Sequence, residues 1–400
     1  MKAVVFHGVG DIRIDDVAEP RIEAPTDAIV RVTASAICGT DLHMVRGTLP
    51  EMVPGTILGH EGVGVVEEVG PAVRNFREGD RVVIPSTIAC GTCVYCRAGY
   101  YSQCDNANPN GKRAGTAFFG GPRSTGPFHG LQAEYARIPF GNVNMVGLPA
   151  SVSDEQAIRL SDIFPTGWFG ARLAEIKHGD IVAVFGCGPV GQFAIASAFL
   201  QGAGRVIAVD RVPARLDMAR AQGAEVIDFN QEDPVEAILS LTGGIGVDRA
   251  IDAVGVDAEA PHAGPAAQRL AGDGEHFARE LDEDAPQRSA EWPAGGAPSL
   301  ALNWAVEALD KAGTLSIIGV YPTAHRAFPL GMAMNRNLTI KTGNCHHRKY
   351  IPELVGIVES GRLDPGKVLT EVEPLGTALD AYHAFSRHEA GWTKVELHPH

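Results

Sequence analysis

Four cysteines fall within 15 residues of this chain, in the spacing Cys90-x₂-Cys93-x₂-Cys96-x₇-Cys104. A compact loop that contains glycine can place four thiolates tetrahedrally around Zn²⁺, whereas an iron–sulfur cluster would need a redox role that no other motif suggests. Four protein ligands leave no open position on the metal. The spacing therefore predicts a structural zinc site that closes residues 90–104 into a lobe.

The hydrophobic pattern changes near residue 164. Before it, short apolar segments such as 28–38, 62–70 and 80–86 are separated by Gly, Pro and Asp, which predicts a small, partly closed β-barrel in residues 1–163. In residues 164–343, continuously apolar runs alternate with helical segments, which predicts a doubly wound parallel sheet with helices on both faces. The predicted strands of this sheet are 181–185, 205–210, 224–228, 247–252, 314–320 and 338–343. The predicted fold class is therefore α/β.

Two further segments complete the predicted domain plan. Residues 255–299 are rich in Ala, Gly, Pro and charged residues, which predicts a surface insertion into the second domain with at most one short helix. A flap bordering a cleft or a subunit contact is the alternative for this segment. Residues 344–400 contain a helical pattern and a last strand, and we expect them to pack back onto the first domain.

Length and charge narrow the class of protein. A chain of 400 residues exceeds the usual size of one hydrophobic core, which agrees with two domains. The formal net charge of −14, with no dense Lys/Arg run, argues against nucleic acid or an anionic membrane as a partner. The N-terminus lacks a basic segment followed by an apolar one, and no apolar run reaches 18 residues, so we expect neither a signal peptide nor a membrane span. The predicted location is the cytosol.

A glycine-rich turn joins the apolar run 181–185 to a helical segment. The turn has the pattern G-x-G-x-x-G and consists of Gly186, Cys187, Gly188, Pro189, Val190 and Gly191. Such a turn lets the backbone approach a pyrophosphate at a helix N-terminus. Asp210 ends the next predicted strand, 19 residues after Gly191, where its carboxylate can bind the adenosine ribose and repel a 2′-phosphate. This favours NAD, although Arg211 leaves NADP open because an arginine can pair with that phosphate.

Two residues of the first domain suggest a second metal site. Cys38 lies in ICGTDLH, and His60, 22 residues later, lies in LGHEGVG. A catalytic zinc needs three protein ligands and an open position, and Asp162 in RLSDIFPTGW is a candidate for the third ligand. From the residues alone, a buried thiol and a histidine at a strand end explain Cys38 and His60 equally well.

Five motifs in order resemble those of the zinc-containing medium-chain alcohol dehydrogenase family: CGTDLH, GHEGVG, the four-cysteine lobe, SDIFPTGW and GCGPVG. The resemblance covers nearly the whole chain apart from residues 255–299. It implies a GroES-like catalytic domain in 1–163 and 344–400, and a Rossmann NAD-binding domain in 164–343. SDIFPTGW is similar to the formaldehyde dehydrogenase and dismutase branch, in which aspartate replaces a ligand cysteine.

The resemblance also implies roles for individual residues. Cys38, His60 and Asp162 would hold the catalytic zinc, and Asp41 would fix the tautomer of the ligand histidine. The other catalytic residues implied are Glu61, which can approach the metal during ligand exchange, and Thr40 and His43, which would relay the substrate proton. The residues implied for the cofactor are Thr166, Ile318, Gly319 and Val320 at the nicotinamide, Arg215 at the adenosine ribose and Lys394 at the pyrophosphate.

The expected function is zinc-dependent transfer of a hydride between NAD and a small-molecule primary alcohol or hydrated aldehyde. The expected cofactors are two zinc ions per subunit and NAD. Polyol or threonine dehydrogenases of the same family, an aldehyde dismutase that retains NAD, and a non-enzymatic nucleotide-binding protein are the alternatives. The resemblance implies a homodimer or homotetramer in which the strand at 338–342 pairs between subunits.

Overall fold

The computed structural model describes residues 1–368 and 370–399. Its strands are β1 (Lys2–Gly8), β2 (Asp11–Asp16), β3 (Ala28–Ile37), β4 (Thr56–Ile57), β5 (Gly62–Val69), β6 (Arg81–Ile84), β7 (Tyr135–Ile138), β8 (Val146–Gly147), β9 (Ile181–Phe185), β10 (Arg205–Asp210), β11 (Glu225–Asp228), β12 (Val247–Asp252), β13 (Leu309–Ile317), β14 (Thr339–Thr342), β15 (Glu371–Pro374) and β16 (Val395–His398). Its α-helices are α1 (Gly39–Arg46), α2 (Val94–Arg97), α3 (Asp154–Ser161), α4 (Ile163–Leu173), α5 (Pro189–Leu200), α6 (Pro213–Ala221), α7 (Pro234–Leu241), α8 (Gly264–Arg269), α9 (Gly274–Asp284), α10 (Leu300–Ala308), α11 (Leu330–Asn335), α12 (His347–Glu359) and α13 (Ala378–Ser386). Short 3₁₀ helices lie at Tyr101–Gln103, Arg123–Thr125, Gly255–Asp257, Pro365–Val368 and Leu375–Thr377.

The chain forms two compact units, one made of Met1–Pro165 with the described residues from Asn344 onward, the other of Thr166–Gly343. The second unit contains a six-stranded sheet of order β11-β10-β9-β12-β13-β14, in which all neighbouring strands are parallel. Strands β9 and β10 are buried along almost their whole length, as a sheet covered on both faces requires, whereas the edge strand β14 is mostly exposed. The prediction of an α/β fold with a doubly wound parallel sheet is confirmed.

The first unit is built mainly from antiparallel strands. One sheet has the order β15-β16-β3-β5-β6-β8, with β7 also on β3, and a second has the order β2-β1-β4. The register of β3 with β5 places Ser35 opposite Gly62, so the residues after β3 lie beside those before β5. Strand β16 pairs with β3 as well, with Val395 opposite Ile37. Residues from three distant parts of the chain therefore meet at the end of β3.

Helix α1 begins directly after β3, in a region where the sequence predicted strands and turns. Cys38 is the N-cap, and its backbone N–H donates to Asp41 Oδ2 at 2.9 Å, which satisfies one of the donors at the start of the helix. Gly47 ends the helix in a left-handed conformation, with φ 84°. The helix depends on these caps and on burial of its side chains, more than on an amphipathic pattern.

Residues 255–299 are more regular than predicted. The expectation of at most one short helix is wrong, since α8 has 6 residues and α9 has 11. Phe277 and Trp292 are buried, and Phe277 belongs to the apolar core of the parallel-sheet unit. A few large apolar side chains are enough to attach this segment to the unit despite its polar composition.

Within residues 1–368 and 370–399, every helix is too short or too polar to cross a membrane.

Candidate active site

The sulfur atoms of the four-cysteine lobe lie within 4.8 Å of one another. Polar hydrogens of the loop point at these sulfurs: Cys90 N donates to Cys104 Sγ at 3.2 Å, Thr92 N donates to Cys90 Sγ at 3.4 Å, and Asn106 Nδ2 donates to Cys90 Sγ at 3.2 Å. Burial raises the pKa of Cys90, but hydrogen bonds from Thr92 and Cys93 outweigh it and lower that pKa to about 6. The lobe thus offers a thiolate at neutral pH and four converging sulfur donors, which fit a structural zinc ion.

A second group of ligand atoms lies within 4.8 Å in the first unit and comes from Cys38, His60, Glu61 and Asp162. The register of β3 with β5 brings Cys38, which follows β3, next to His60, which precedes β5. Asp162 separates α3 from α4, and its Oδ2 lies 3.7 Å from Cys38 Sγ and 3.3 Å from His60 Nε2. We call these four residues the ligand group.

The ligand group places three acidic side chains and one imidazole in a buried site, a composition that suits a divalent metal. Burial raises the pKa of the Cys38 thiol. Burial also raises the pKa of Asp162, but hydrogen bonds with His347 and His60 outweigh it and hold that pKa well below its usual value. Glu61 Oε2 is buried without a hydrogen-bond partner among the residues that the structure describes. Acidic groups packed this closely in a dry site favour a cation, and sulfur, imidazole and carboxylate are the donors that zinc takes.

The imidazole of His60 is oriented from outside the ligand group. His60 Nδ1 lies 3.3 Å from Asp41 Oδ1, which leaves Nε2 facing the other ligand atoms. Asp41 Oδ2 accepts a hydrogen bond from Gln132 Nε2 at 3.3 Å, and Gln132 Oε1 accepts one from the Tyr382 hydroxyl at 2.8 Å. These bonds fix the Asp41 carboxylate, and a carboxylate behind a ligand histidine is how metal sites set its tautomer.

His347 contacts the ligand group and was missed in the sequence. Its Nε2 lies 2.6 Å from Asp162 Oδ1, and its Nδ1 lies 3.1 Å from Thr87 Oγ1. Because a carboxylate only accepts, Nε2 donates to Asp162, and the hydrogen bond between Nδ1 and the Thr87 hydroxyl holds the other side of the ring. His347 and Asp162 are 185 residues apart, so no local spacing connects them. The only signal was the histidine pair at 346–347.

Lys394 requires a correction. We predicted that it binds the pyrophosphate, but its side chain is 1% exposed, and its Nζ donates to Glu61 Oε1 at 2.5 Å and to Ile37 O at 2.9 Å. The reason is the pairing of β16 with β3, which places this lysine beside the ligand group. Burial lowers the pKa of Lys394, but the charge of Glu61 raises it above its ordinary value. Its ammonium therefore balances the charge of Glu61.

The two residues implied in proton relay lie on α1. Thr40 is in the first turn of that helix, two residues after Cys38, and is partly exposed. His43 is 5% exposed, and its Nδ1 lies 2.9 Å from Thr48 Oγ1. His43 is thus held by a hydrogen bond inside the first unit and is not an ordinary surface histidine.

In the second unit, the glycine-rich turn has the geometry that a close approach to phosphate requires. Gly186 has φ 86°, and a Cβ on Gly191 would lie 1.8 Å from Gly186 O, so neither position admits a side chain without a shift. Asp210 Oδ2 accepts a hydrogen bond from Cys187 N at 2.7 Å, and its Oδ1 accepts one from Arg211 N at 2.7 Å. The carboxylate is thereby fixed at the edge of the turn.

Most of the remaining residues implied in cofactor binding lie at the carboxyl ends of the parallel strands. Gly188 is the N-cap of α5, which Pro189 and Val190 begin, and the Arg215 guanidinium comes within 3.9 Å of where a Gly188 Cβ would lie. Ile318, Gly319 and Val320 follow β13, and Thr166 lies on α4. In open parallel sheets, this end of the strands is where dinucleotides bind.

Comparison with known proteins shows to which family the chain belongs. Residues 24–149 match the alcohol dehydrogenase GroES-like domain, and residues 189–266 match the zinc-binding dehydrogenase family. An uncharacterised zinc-type alcohol dehydrogenase-like protein of Bacillus subtilis is 40% identical, with 100% of each chain covered. The chain belongs to the zinc-dependent medium-chain alcohol dehydrogenase family. A solved alcohol dehydrogenase from Thermus sp. ATN1 is 35% identical with a TM-score of 0.80, covering 100% of this chain and 99% of that chain.

Membership of this zinc-dependent alcohol dehydrogenase family confirms the GroES-like and Rossmann fold class, the assignment as an oxidoreductase, and zinc as a cofactor. Two similar solved structures, each 26% identical, are an NAD-dependent alcohol dehydrogenase and a putative zinc-binding dehydrogenase of Sinorhizobium meliloti bound to NADP. Support for the formaldehyde-active branch is weaker. The glutathione-independent formaldehyde dehydrogenase of Pseudomonas aeruginosa is 40% identical, but the match covers 64% of this chain and 66% of that protein. The family thus defines the type of reaction, and the substrate is a separate question.

Proposed function

We propose that this protein transfers a hydride between NAD and a primary alcohol or hydrated aldehyde, with Cys38, His60 and Asp162 as ligands of the catalytic zinc. The observation that carries the proposal is the convergence of a thiol, an imidazole and a carboxylate within 4.8 Å in a buried site. Three protein ligands leave the open position that a catalytic zinc needs. Glu61 is the fourth residue of the ligand group. Its Oε1 accepts a hydrogen bond from Lys394, and its Oε2 is available to the metal.

When bound, zinc lowers the pKa of an alcohol and NAD accepts the hydride. The residues of the chain have three tasks in this reaction. Asp41 and His347 keep two ligands in the orientation that leaves the fourth position open. The Thr40 hydroxyl would accept the substrate proton as it gives up its own, and His43 would pass that proton to water. Asp210 binds the adenosine ribose and repels a 2′-phosphate, which favours NAD.

The substrate class is the finer part of this proposal. Asp162 in place of a ligand cysteine and the partial likeness to a formaldehyde dehydrogenase favour formaldehyde and other small aldehydes. A spectrophotometric screen of NADH formation with short primary alcohols, hydrated aldehydes, polyols and threonine tests it. We expect the primary alcohols or the hydrated aldehydes to give the highest kcat/KM, and a clear preference for a polyol or threonine would contradict the proposal. A dismutase would convert aldehyde without net NADH and would keep NAD through gel filtration.

The cytosolic location remains a prediction.

His347 is expected to act as a positioning residue for Asp162. His347→Leu removes the hydrogen bond to Oδ1 and should weaken zinc binding at the ligand group by about 10- to 100-fold, as loss of an outer partner of a metal ligand typically does. Competition with a chromophoric chelator measures this affinity separately from that of the lobe. His347→Gln retains a donor and should recover part of the loss. His346→Leu is the matched control because His346 bonds to Ser102. Equal effects of the His346 and His347 variants would contradict the role.

The outer strand of the parallel sheet is proposed as the contact between two copies of the chain. Strand β14 lies at the edge of the six-stranded sheet, and Ile340 on it is 38% exposed. Helix α11, just before it, exposes Leu330 and Met334 at 66% and 75%. An edge strand with apolar neighbours can pair with its own copy across a two-fold axis.

Ile340→Lys is expected to shift the protein from dimer or tetramer toward a smaller species, because the added charge would be buried against its own copy. Size-exclusion chromatography with light scattering measures this. Val372→Lys is the control, since Val372 is 49% exposed on β15, the edge strand of the other sheet. Dissociation by Val372→Lys with no change from Ile340→Lys would place the contact elsewhere.

A further inference from the structure

The ion pair between Arg211 and Glu259 lies beside the residue proposed to select the cofactor. Arg211 directly follows Asp210, and its Nε donates to Glu259 Oε2, with its terminal nitrogen paired to the same oxygen. We infer that Glu259 is a specificity-determining residue that favours NAD over NADP. This inference rests on the proposed NAD-linked function and deepens it.

The position of Arg211 makes it the natural partner of a 2′-phosphate. Asp210 is fixed to the glycine-rich turn through Cys187 N, and Arg211 N donates to the same carboxylate. In a parallel sheet of this topology, the residue at the end of the second strand faces the adenosine ribose, and an arginine nearby accommodates the phosphate of NADP. In this chain the Arg211 guanidinium is instead taken up by a carboxylate of the protein.

Glu259 is held in place by its own segment. It follows Ala258, which is buried and whose carbonyl accepts a hydrogen bond from Ala297 N at 2.9 Å. On its other side, His262 N donates to Asn230 Oδ1 at 3.0 Å. With the backbone tied on both sides, this ion pair costs only the rotamer freedom of the two side chains and no ordering of the chain around Glu259.

Two physical effects of Glu259 both weaken the binding of NADP. The ion pair must be broken before Arg211 can bind a 2′-phosphate, and the Glu259 carboxylate adds a second negative charge next to that of Asp210. The side chains of Arg211 and Glu259 are 28% and 35% exposed. A bound cofactor can therefore approach the pair closely enough for both effects to act on its 2′-phosphate. A 2′-hydroxyl carries no charge, so NAD binding is nearly indifferent to both.

Glu259→Gln tests the inference because it removes the charge and keeps the shape. Dissociation constants for NAD and NADP, measured by calorimetry on the full zinc-loaded protein, should show NADP binding about tenfold tighter and NAD binding nearly unchanged. The ratio of kcat/KM for the two cofactors should shift by the same factor. In the double variant Glu259→Gln with Arg211→Gln most of the gain should vanish, because the freed arginine is what binds the phosphate, and only the smaller gain from the removed carboxylate charge should remain.

Glu307→Gln is the matched control. It breaks the Arg269–Glu307 ion pair of the same unit, whose side chains are exposed to a similar extent, at 34% and 32%. An NAD-binding wild-type protein whose cofactor ratio is the same in Glu259→Gln as in the control would overturn the inference and leave the proposed function intact. A wild-type protein that binds neither dinucleotide, or that prefers NADP, would overturn both.

Discussion

Cys38→Ser is expected to leave one zinc ion per chain and to abolish NAD-linked turnover. Cys38 is the only sulfur donor in the ligand group, and a neutral hydroxyl is a poor substitute for a thiolate on zinc. A catalytic metal supplies several kcal/mol of stabilisation to the transition state, and each ~1.4 kcal/mol corresponds to a factor of ten, so turnover should fall about a thousandfold or more. Elemental analysis and initial rates measure the two effects.

The matched control for this variant is Cys345→Ser. Cys345 is also buried in the first unit but belongs to neither metal group. It should retain both zinc ions. If Cys38→Ser also retained both ions, or turned over at the wild-type rate, Cys38 would not be a metal ligand, and a nucleotide-binding role without this chemistry would regain weight.

Cys93→Ser is expected to destabilise the lobe at residues 90–104 with little direct effect on the chemistry of the other site. The lobe contains a helix of only 4 residues and a 3₁₀ helix of 3, so its order depends on the metal more than on regular structure. Structural zinc binding in small peptides is worth about 10–16 kcal/mol, and this binding energy is folding energy. Loss of one ligand should therefore unfold the lobe locally at temperatures where the rest of the protein stays folded.

Hydrogen exchange measures this outcome directly. Backbone amides of residues 90–104 should lose protection in Cys93→Ser, while those of the six-stranded sheet in the second unit keep theirs, and the zinc content should fall by one per chain. Cys345→Ser again serves as control. Protection of the lobe equal to that of the wild type, with both ions retained, would show that the four cysteines are not a structural zinc site.

The parallel sheet could be predicted because its strands carry their own signal. Ile181–Phe185 is apolar throughout, is only five residues long and is followed by a glycine turn and a helix, which is typical of a strand buried on both faces. Helix α1 could not be predicted in the same way, because Cys38 and Asp41 stabilise it through capping. The segment 255–299 was underestimated for a related reason: its few anchors, such as Phe277, are too far apart to give a periodic pattern.

Contacts of the site between residues far apart in the sequence could not be predicted. The cysteine spacing of the lobe is local and could be read directly, whereas Asp162 was one candidate ligand that only the resemblance to a family favoured over others. His347 is 185 residues from Asp162, and Lys394 is 333 residues from Glu61. An isolated basic residue in a sequence is usually solvated, and only the pairing of β16 with β3 shows that Lys394 is buried beside an acid.

Removal of zinc from the wild-type protein tests whether Cys38, His60 and Asp162 hold a catalytic metal. Turnover with NAD, zinc content and circular dichroism are to be followed together as a chelator withdraws the metal. NADH formation is expected to be lost in proportion to the first zinc ion removed, while the fold is retained, and added zinc should restore it. A metal-free preparation with undiminished turnover would contradict this role of the metal.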